Sequence, residues 1–134
     1  MAMTLKEYFE TTTGIGVLST ANAGLRVDAA IYARPHVMDD GTVAFIMRER
    51  LTHENLQSNP FAAYLFMEKS QGYKGLRLFL KKLREDANSE LIESMTRRCF
   101  DPELDAQKGP KHLVYFKVEK ILPLIGSGET PVTG

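Results

Sequence analysis

The chain has 134 residues, 43% of them hydrophobic and 25% charged, which suits one folded domain with a small core and leaves little room for two. Seventeen basic residues balance seventeen acidic ones, so no net charge draws the molecule to nucleic acid or an anionic membrane, and any anion site must be local. The one cysteine, Cys99, excludes an intramolecular disulfide and suits a reducing compartment. Residues 1–9 lack the layout of a signal peptide, and no apolar run reaches the length of a membrane span. The expectation is a soluble, cytoplasmic protein with no nucleic-acid or membrane partner.

Thr4, with Glu7 three residues on, predicts a capped helix that ends near residues 11–14; Met3 and Tyr8 suit a hydrophobic staple. A short strand is predicted over Gly14–Ala21, bounded by the turn residues Asn22, Ala23 and Gly24. Residues 25–38 read as one long strand, with Leu25, Val27, Ala29, Ile31 and Ala33 on one face and Arg26, Asp28, Ala30, Tyr32 and Arg34 on the other. Pro35 marks a bend. Asp39-Asp40-Gly41 is a hairpin turn leading to a strand over residues 42–48.

A second helix is predicted over residues 52–58, with Thr52 as N-cap, Glu54 in the first turn, a Leu51–Leu56 staple and Asn59-Pro60 as its stop. An aromatic-rich strand follows over Phe61–Glu68, then a loop over residues 70–75 and a strand over residues 76–84 with Leu76, Leu78 and Leu80 on one side. Asn88 or Ser89 caps a third helix whose apolar stripe is Leu91, Ile92, Met95 and Cys99. Residues 101–111 form a polar loop, residues 113–122 the last strand, and residues 126–134 a flexible tail behind a domain of residues 1–125. The fold class is mainly β (α+β): a six-stranded antiparallel barrel with short flanking helices.

The segment from Arg48 to Pro60 carries the most chemistry. A strand runs into a capped helix whose first N–H groups and partial positive charge suit an anion. Arg48 and Arg50 precede it, Thr52 adds a hydroxyl and His53 a ring, so four donors converge where a phosphate would sit. The plainer alternative is a simple cap beside two solvated arginines.

These residues carry a resemblance. The strand 42–48, the cluster Leu51-Thr52-His53-Glu54-Asn55-Leu56 and the run Asn59-Pro60-Phe61 opening an aromatic strand resemble the phosphate-binding segment of the pyridoxamine-phosphate-oxidase-like FMN-binding split β-barrels. In strand order the resemblance spans roughly residues 4–125. It implies FMN, with the ring against the backbone of Phe45, Ile46 and Met47, the phosphate at Arg50, Leu51, Thr52 and His53, and Asp28, Ala29, Ala30 and Ile31 as the wall under the ring. It also implies a homodimer whose second subunit completes the site, with Tyr73 and Lys74 as the candidates. Many members place a Ser-Lys or Arg-Lys pair where this chain has Leu51-Thr52; Arg50 and His53 are the candidate replacements. A deazaflavin, or a heme on His112, ranks behind FMN.

His36 and His112 show no metal-ligand spacing with each other or with Cys99. Gly14-Ile15-Gly16 lacks the third glycine and the following helix of a dinucleotide fingerprint and reads as a close approach of strand to sheet. Gly72-Tyr73-Lys74-Gly75 reads as a turn. Lys81, Lys82, Arg84, Arg97 and Arg98 alternate with nearby acids and read as a solvated face. Three readings stay open: an FMN-dependent oxidoreductase of a small molecule, in which Arg34 or Lys74 orients an anionic substrate; an electron carrier that serves a redox partner; and a regulatory dimer.

Overall fold

The computed structural model describes residues 3–87, 89–95 and 110–133. Strand β1 (Met3–Thr4) leads into helix α1 (Leu5–Thr11). The predicted capping box is present: the Thr4 hydroxyl accepts from the Glu7 N–H at 3.2 Å, and the Glu7 carboxylate accepts from the Thr4 N–H at 3.3 Å. Leu5, Tyr8 and Phe9, spaced for one helix face, are buried. Strands β2 (Gly14–Ala21), β3 (Val27–Tyr32), β4 (His36–Val37) and β5 (Val43–Arg48) follow, then helix α2 (Leu51–Ser58). Strands β6 (Phe61–Glu68) and β7 (Gly75–Asp86), helix α3 (Ser89–Met95), and strands β8 (Lys111–Pro123) and β9 (Val132–Thr133) complete the order. Among the described residues, no helix is long and apolar enough to cross a membrane.

Seven strands form one antiparallel sheet in the order β3-β2-β6-β7-β8-β5-β4. β3 and β4 lie at opposite edges of this order, yet only residues 33–35 join them. Laid flat, the edge strands would stand roughly 29 Å apart at about 4.8 Å per spacing, whereas the chain from Tyr32 to His36 reaches about 14 Å at most. The sheet therefore curls until its edges meet, and it stays split between them. Side chains pin the crossing. The Tyr64 hydroxyl lies 3.2 Å from both the Tyr32 and Ala33 carbonyls, and Arg34 Nη1 donates to the Phe9 and Thr12 carbonyls at 2.8 and 3.0 Å.

Alternation fills the interior. Leu18 of β2, Tyr64 and Phe66 of β6, Leu76, Leu78 and Leu80 of β7, and Phe116 of β8 are buried. Their aromatic rings meet edge-on with Phe9 and Phe45, at centroid distances of 5.2 Å for Phe9–Phe66 and 5.8 Å for Phe45–Phe116. At the β4–β5 hairpin, Gly41 takes φ 88°, and the Asp40 carboxylate accepts from the Thr42 N–H and hydroxyl at 3.0 and 2.7 Å.

Three expectations need correction, and one pairing was not foreseen. The sheet has seven strands rather than six, with a separate two-stranded pair. The long strand over residues 25–38 is two strands, because the crossing at Pro35 leaves one sheet edge for the other. Within the stretch read as a tail, Val132 and Thr133 pair in parallel with Met3 and Thr4, and Val132 is buried. Strand β8 starts at Lys111, inside the predicted loop. Cys99 and the rest of that loop up to residue 109 lie outside the described residues.

The close approach read at Gly14-Ile15-Gly16 is present. A Cβ on Gly16 would stand 1.8 Å from the Tyr64 hydroxyl, the group that pins the crossing. Replacing Gly16 with Ala must therefore move Tyr64, and urea unfolding should show a loss of about 1–3 kcal/mol. Unchanged stability would mean that the crossing does not depend on this contact.

Candidate functional site

A cavity of about 380 Å³ lies where the split edges meet, within the size range of small-molecule sites. Asp28, Ala30, Ile31 and Tyr32 of β3 form one wall, and Phe45, Ile46 and Arg48 of β5 another. Ala33, Arg34 and His36 line it from the crossing, Arg50, Leu51 and Thr52 from the start of α2, and Lys111 from the start of β8.

One end of the cavity is cationic. Arg48 and Lys111 are cross-strand partners in the β5–β8 ladder, and Arg50 lies two residues beyond Arg48. Together they concentrate positive charge there. Among the described residues that line the cavity, Asp28 is the one carboxylate, and it lies beside the Thr52 hydroxyl.

Helix α2 starts one residue earlier than its sequence predicts. Arg50 is the N-cap, and it makes no side-chain cap bond. Its N–H donates to the Arg48 carbonyl at 2.8 Å, a tight turn that brings Leu51 into the helix. Thr52 thus lies inside the first turn, buried, with its hydroxyl 3.4 Å from the Asp28 carboxylate. Leu51 is 52% exposed and lines the cavity. With no side chain capping them, the first-turn N–H groups keep their capacity to donate to an anion at the cationic end. Burial, with the Asp28 charge, pushes the Tyr32 phenol above its ordinary value, against the opposing pull of Thr52 and Arg50. Tyr32 is therefore a neutral donor at ordinary pH.

The cavity gathers most of the predicted site: Asp28, Ala30, Ile31, Phe45, Ile46, Arg48, Arg50, Leu51 and Thr52. Five predicted residues do not line it. Ala29 points to the other face of β3. Met47 is buried in the core. Tyr73 and Lys74 lie between β6 and β7, with Tyr73 75% exposed. His53 turns away, with Nε2 2.6 Å from Glu85 and its ring stacked on His112 at 4.5 Å. Burial pushes the Glu85 carboxyl up, but the bond and charge of His53, with Lys82 and His112, leave it below the ordinary value. Tyr32, Ala33, His36 and Lys111 were not predicted. Tyr32 had a signal, since it alternates with Asp28 and Ala30. Lys111 had none, because its place opposite Arg48 rests on a pairing across more than sixty residues.

The outer face of β3, β2 and β6 is apolar and exposed. Ile31, Val17 and Leu65 form one row across the three strands, and Ile15 and Met67 pair beside it. Ile31 and Ile15 are more than half exposed. The alternation read in residues 27–31 is present with the apolar face outward. Ile31 belongs both to this face and to the cavity rim, so the two surfaces are continuous.

No family model matches the chain, and no curated protein matches it. Solved structures do. An FMN-binding protein from Syntrophomonas wolfei subsp. wolfei superposes with a TM-score of 0.71 at 16% identity, covering 90% of this chain and 84% of that one. A candidate pyridoxamine 5'-phosphate oxidase from Lactobacillus delbrueckii gives 0.61 at 11% identity, covering 82% and 84%. An F420 reductase gives 0.59 at 16% identity, covering 81% and 88%. The likeness is one of fold: the chain has the pyridoxamine-phosphate-oxidase-like split-barrel fold.

Helix α2 is held to β2 by a buried pair at its middle. Asn55 Nδ2 donates to the Thr20 hydroxyl of β2 at 3.0 Å, and both residues are buried. Asn55→Ala should cost about 1–3 kcal/mol in denaturant unfolding, because it leaves Thr20 without its partner in the interior. A loss under about 0.5 kcal/mol would show that α2 is held by packing alone.

Proposed function

We propose that the cavity binds FMN and that the protein is a flavin-dependent oxidoreductase of a small molecule, active as a homodimer. The observation that carries this reading is the division of the cavity. Arg48, Arg50, Lys111 and the uncapped start of α2 line one part, with the Asp28 carboxylate held beside Thr52, while Ile31, Tyr32, Phe45 and Ile46 give an apolar wall, and Arg34 and His36 add polar groups from the crossing. A flat aromatic ring on a phosphorylated chain has that division of polarity. The shared fold with an FMN-binding protein supports a flavin-type ligand. A deazaflavin is the second reading, favoured by the shared fold with an F420 reductase.

When bound, the flavin supplies the redox chemistry, and the protein supplies grip, orientation and electrostatics. Arg48, Arg50 and Lys111 would hold the phosphate, as charge-assisted bonds to phosphate are the strong ones. Phe45 and Ile46 would give the ring an apolar wall. Tyr32 stays protonated and offers a donor within the cavity. Arg34, fixed by two carbonyls, presents its charge at the cavity for an anionic substrate.

A second copy completes the site. The exposed apolar face is continuous with the cavity rim through Ile31, so a copy seated there would shield Ile31, Val17 and Leu65 from water and close the cavity's open side. Burying such a face is the main drive for association. Tyr73 and Lys74 are the candidates for what that copy contributes.

The direct test is to add FMN to the purified protein, remove the excess by gel filtration and read the flavin absorbance of the protein peak. The reading expects retained flavin, and an Arg50→Ala, Lys111→Ala double variant that folds normally but binds at least tenfold more weakly. A protein that keeps no flavin contradicts it. Turnover with a reduced nicotinamide and an acceptor then separates the oxidoreductase from an electron carrier. For the dimer, light scattering should show two chains for the wild type and one for Leu65→Arg; a monomeric wild type would remove the second copy from the account.

A further inference from the structure

We infer that His53, His112 and Glu85 form a binding site for one divalent transition-metal ion of the zinc class, back to back with the cavity. Thr52 and Lys111 line the cavity. Each is followed by a histidine that points elsewhere: His53 in the first turn of α2, and His112 on the opposite face of β8, as alternation requires. The two rings stack with centroids 4.5 Å apart and planes 15° from parallel. Glu85, near the end of β7, closes the group, with Oε2 2.6 Å from His53 Nε2.

The donor atoms of these three residues all lie within 4.8 Å of one another. Ligand atoms around a tetrahedral zinc ion stand roughly 3.3–3.5 Å apart, so the donor atoms must draw in by about 1 Å and the two rings must tilt out of their stack until both lone pairs meet one ion. Two imidazoles and one carboxylate are a donor set that zinc accepts with a fourth position left for water. The side chains are partly shielded, with exposures of 13%, 19% and 28% for His53, His112 and Glu85, so an ion can enter from solvent. Two neighbouring groups must give way to the ion. The Glu49 carboxylate lies 3.0 Å from His112 Nε2, so it must release that nitrogen and can then accept from the bound water. The Gln57 amide nitrogen lies 3.2 Å from His53 Nε2 and donates to the His53 carbonyl at 3.0 Å, so it must leave the ring nitrogen and can keep the carbonyl.

An ion held here would tie α2 to β7 and β8 and fix the helix start that forms the cavity's cationic end. The site does not rest on the flavin reading, because the ion can be measured on flavin-free protein.

The test uses tag-free protein stripped with a chelator and titrated with Zn²⁺ by calorimetry, with Co²⁺ absorbance as the reporter of coordination. One ion per chain is expected. His112→Ala and Glu85→Gln should each weaken binding at least tenfold, and zinc should raise the Tm of the wild type more than that of either variant. Should His112→Ala not fold, Glu85→Gln decides alone, its metal-free Tm reporting that its fold is kept. No saturable binding, or binding that neither variant weakens, overturns the assignment.

Discussion

Three residues, Ala33, Arg34 and Pro35, impose the constraint on which the rest of the molecule depends. They carry the chain from β3 at one edge of a seven-stranded sheet to β4 at the other, and a link that short is possible only if the sheet curls until its edges meet. The split that remains is both the weakness and the use of the fold. It is fastened by Tyr64 and Arg34 bonding to backbone carbonyls rather than by a ladder. The cavity opens beside it, lined from β3, from the crossing and from β5.

The chemistry at the cavity comes from two local arrangements. Arg48 stands opposite Lys111 in the ladder, and α2 begins without a side-chain cap. The missing cap alone would be a modest flaw in a structural protein. Together at one end of one cavity they make a field and a set of donors suited to an anion, and departures from local optimality of this kind are expected where a protein binds something. The rigidity needed to keep them useful comes from outside the cavity, from the buried Asn55–Thr20 bond and from the aromatic interior.

Features governed by near neighbours were legible in the sequence. Thr4 with Glu7, Asp39-Asp40-Gly41, the stop at Asn59-Pro60 and the run Leu76, Leu78, Leu80 all do what their spacing predicts. Most of the cavity was legible too, because Arg48, Arg50, Leu51 and Thr52 are consecutive or nearly so. What failed was non-local. Alternation in β3 shows that two faces differ in polarity, but not which one meets the core, and here the apolar face points outward. The position of Lys111 depends on the β5–β8 register, and the order of Val132 on a parallel pairing with the far end of the chain. Thr52 looked like a cap because hydroxyl residues usually are caps; the turn at Arg50 drew the helix start past it. Likewise, nothing near His53 in the sequence shows that Glu85 and His112, brought close only by the fold, meet its ring.

The central claim is that the cationic end of the cavity grips the phosphate of a flavin. The measurement that tests it most directly is a paired equilibrium titration with FMN and with riboflavin, which differ only in that phosphate. Because charge-assisted bonds to a phosphate contribute roughly 1.5–3 kcal/mol each and about 1.4 kcal/mol is tenfold in affinity, FMN should bind at least tenfold more tightly. Equal affinity for the two ligands, or none for either, would contradict the account.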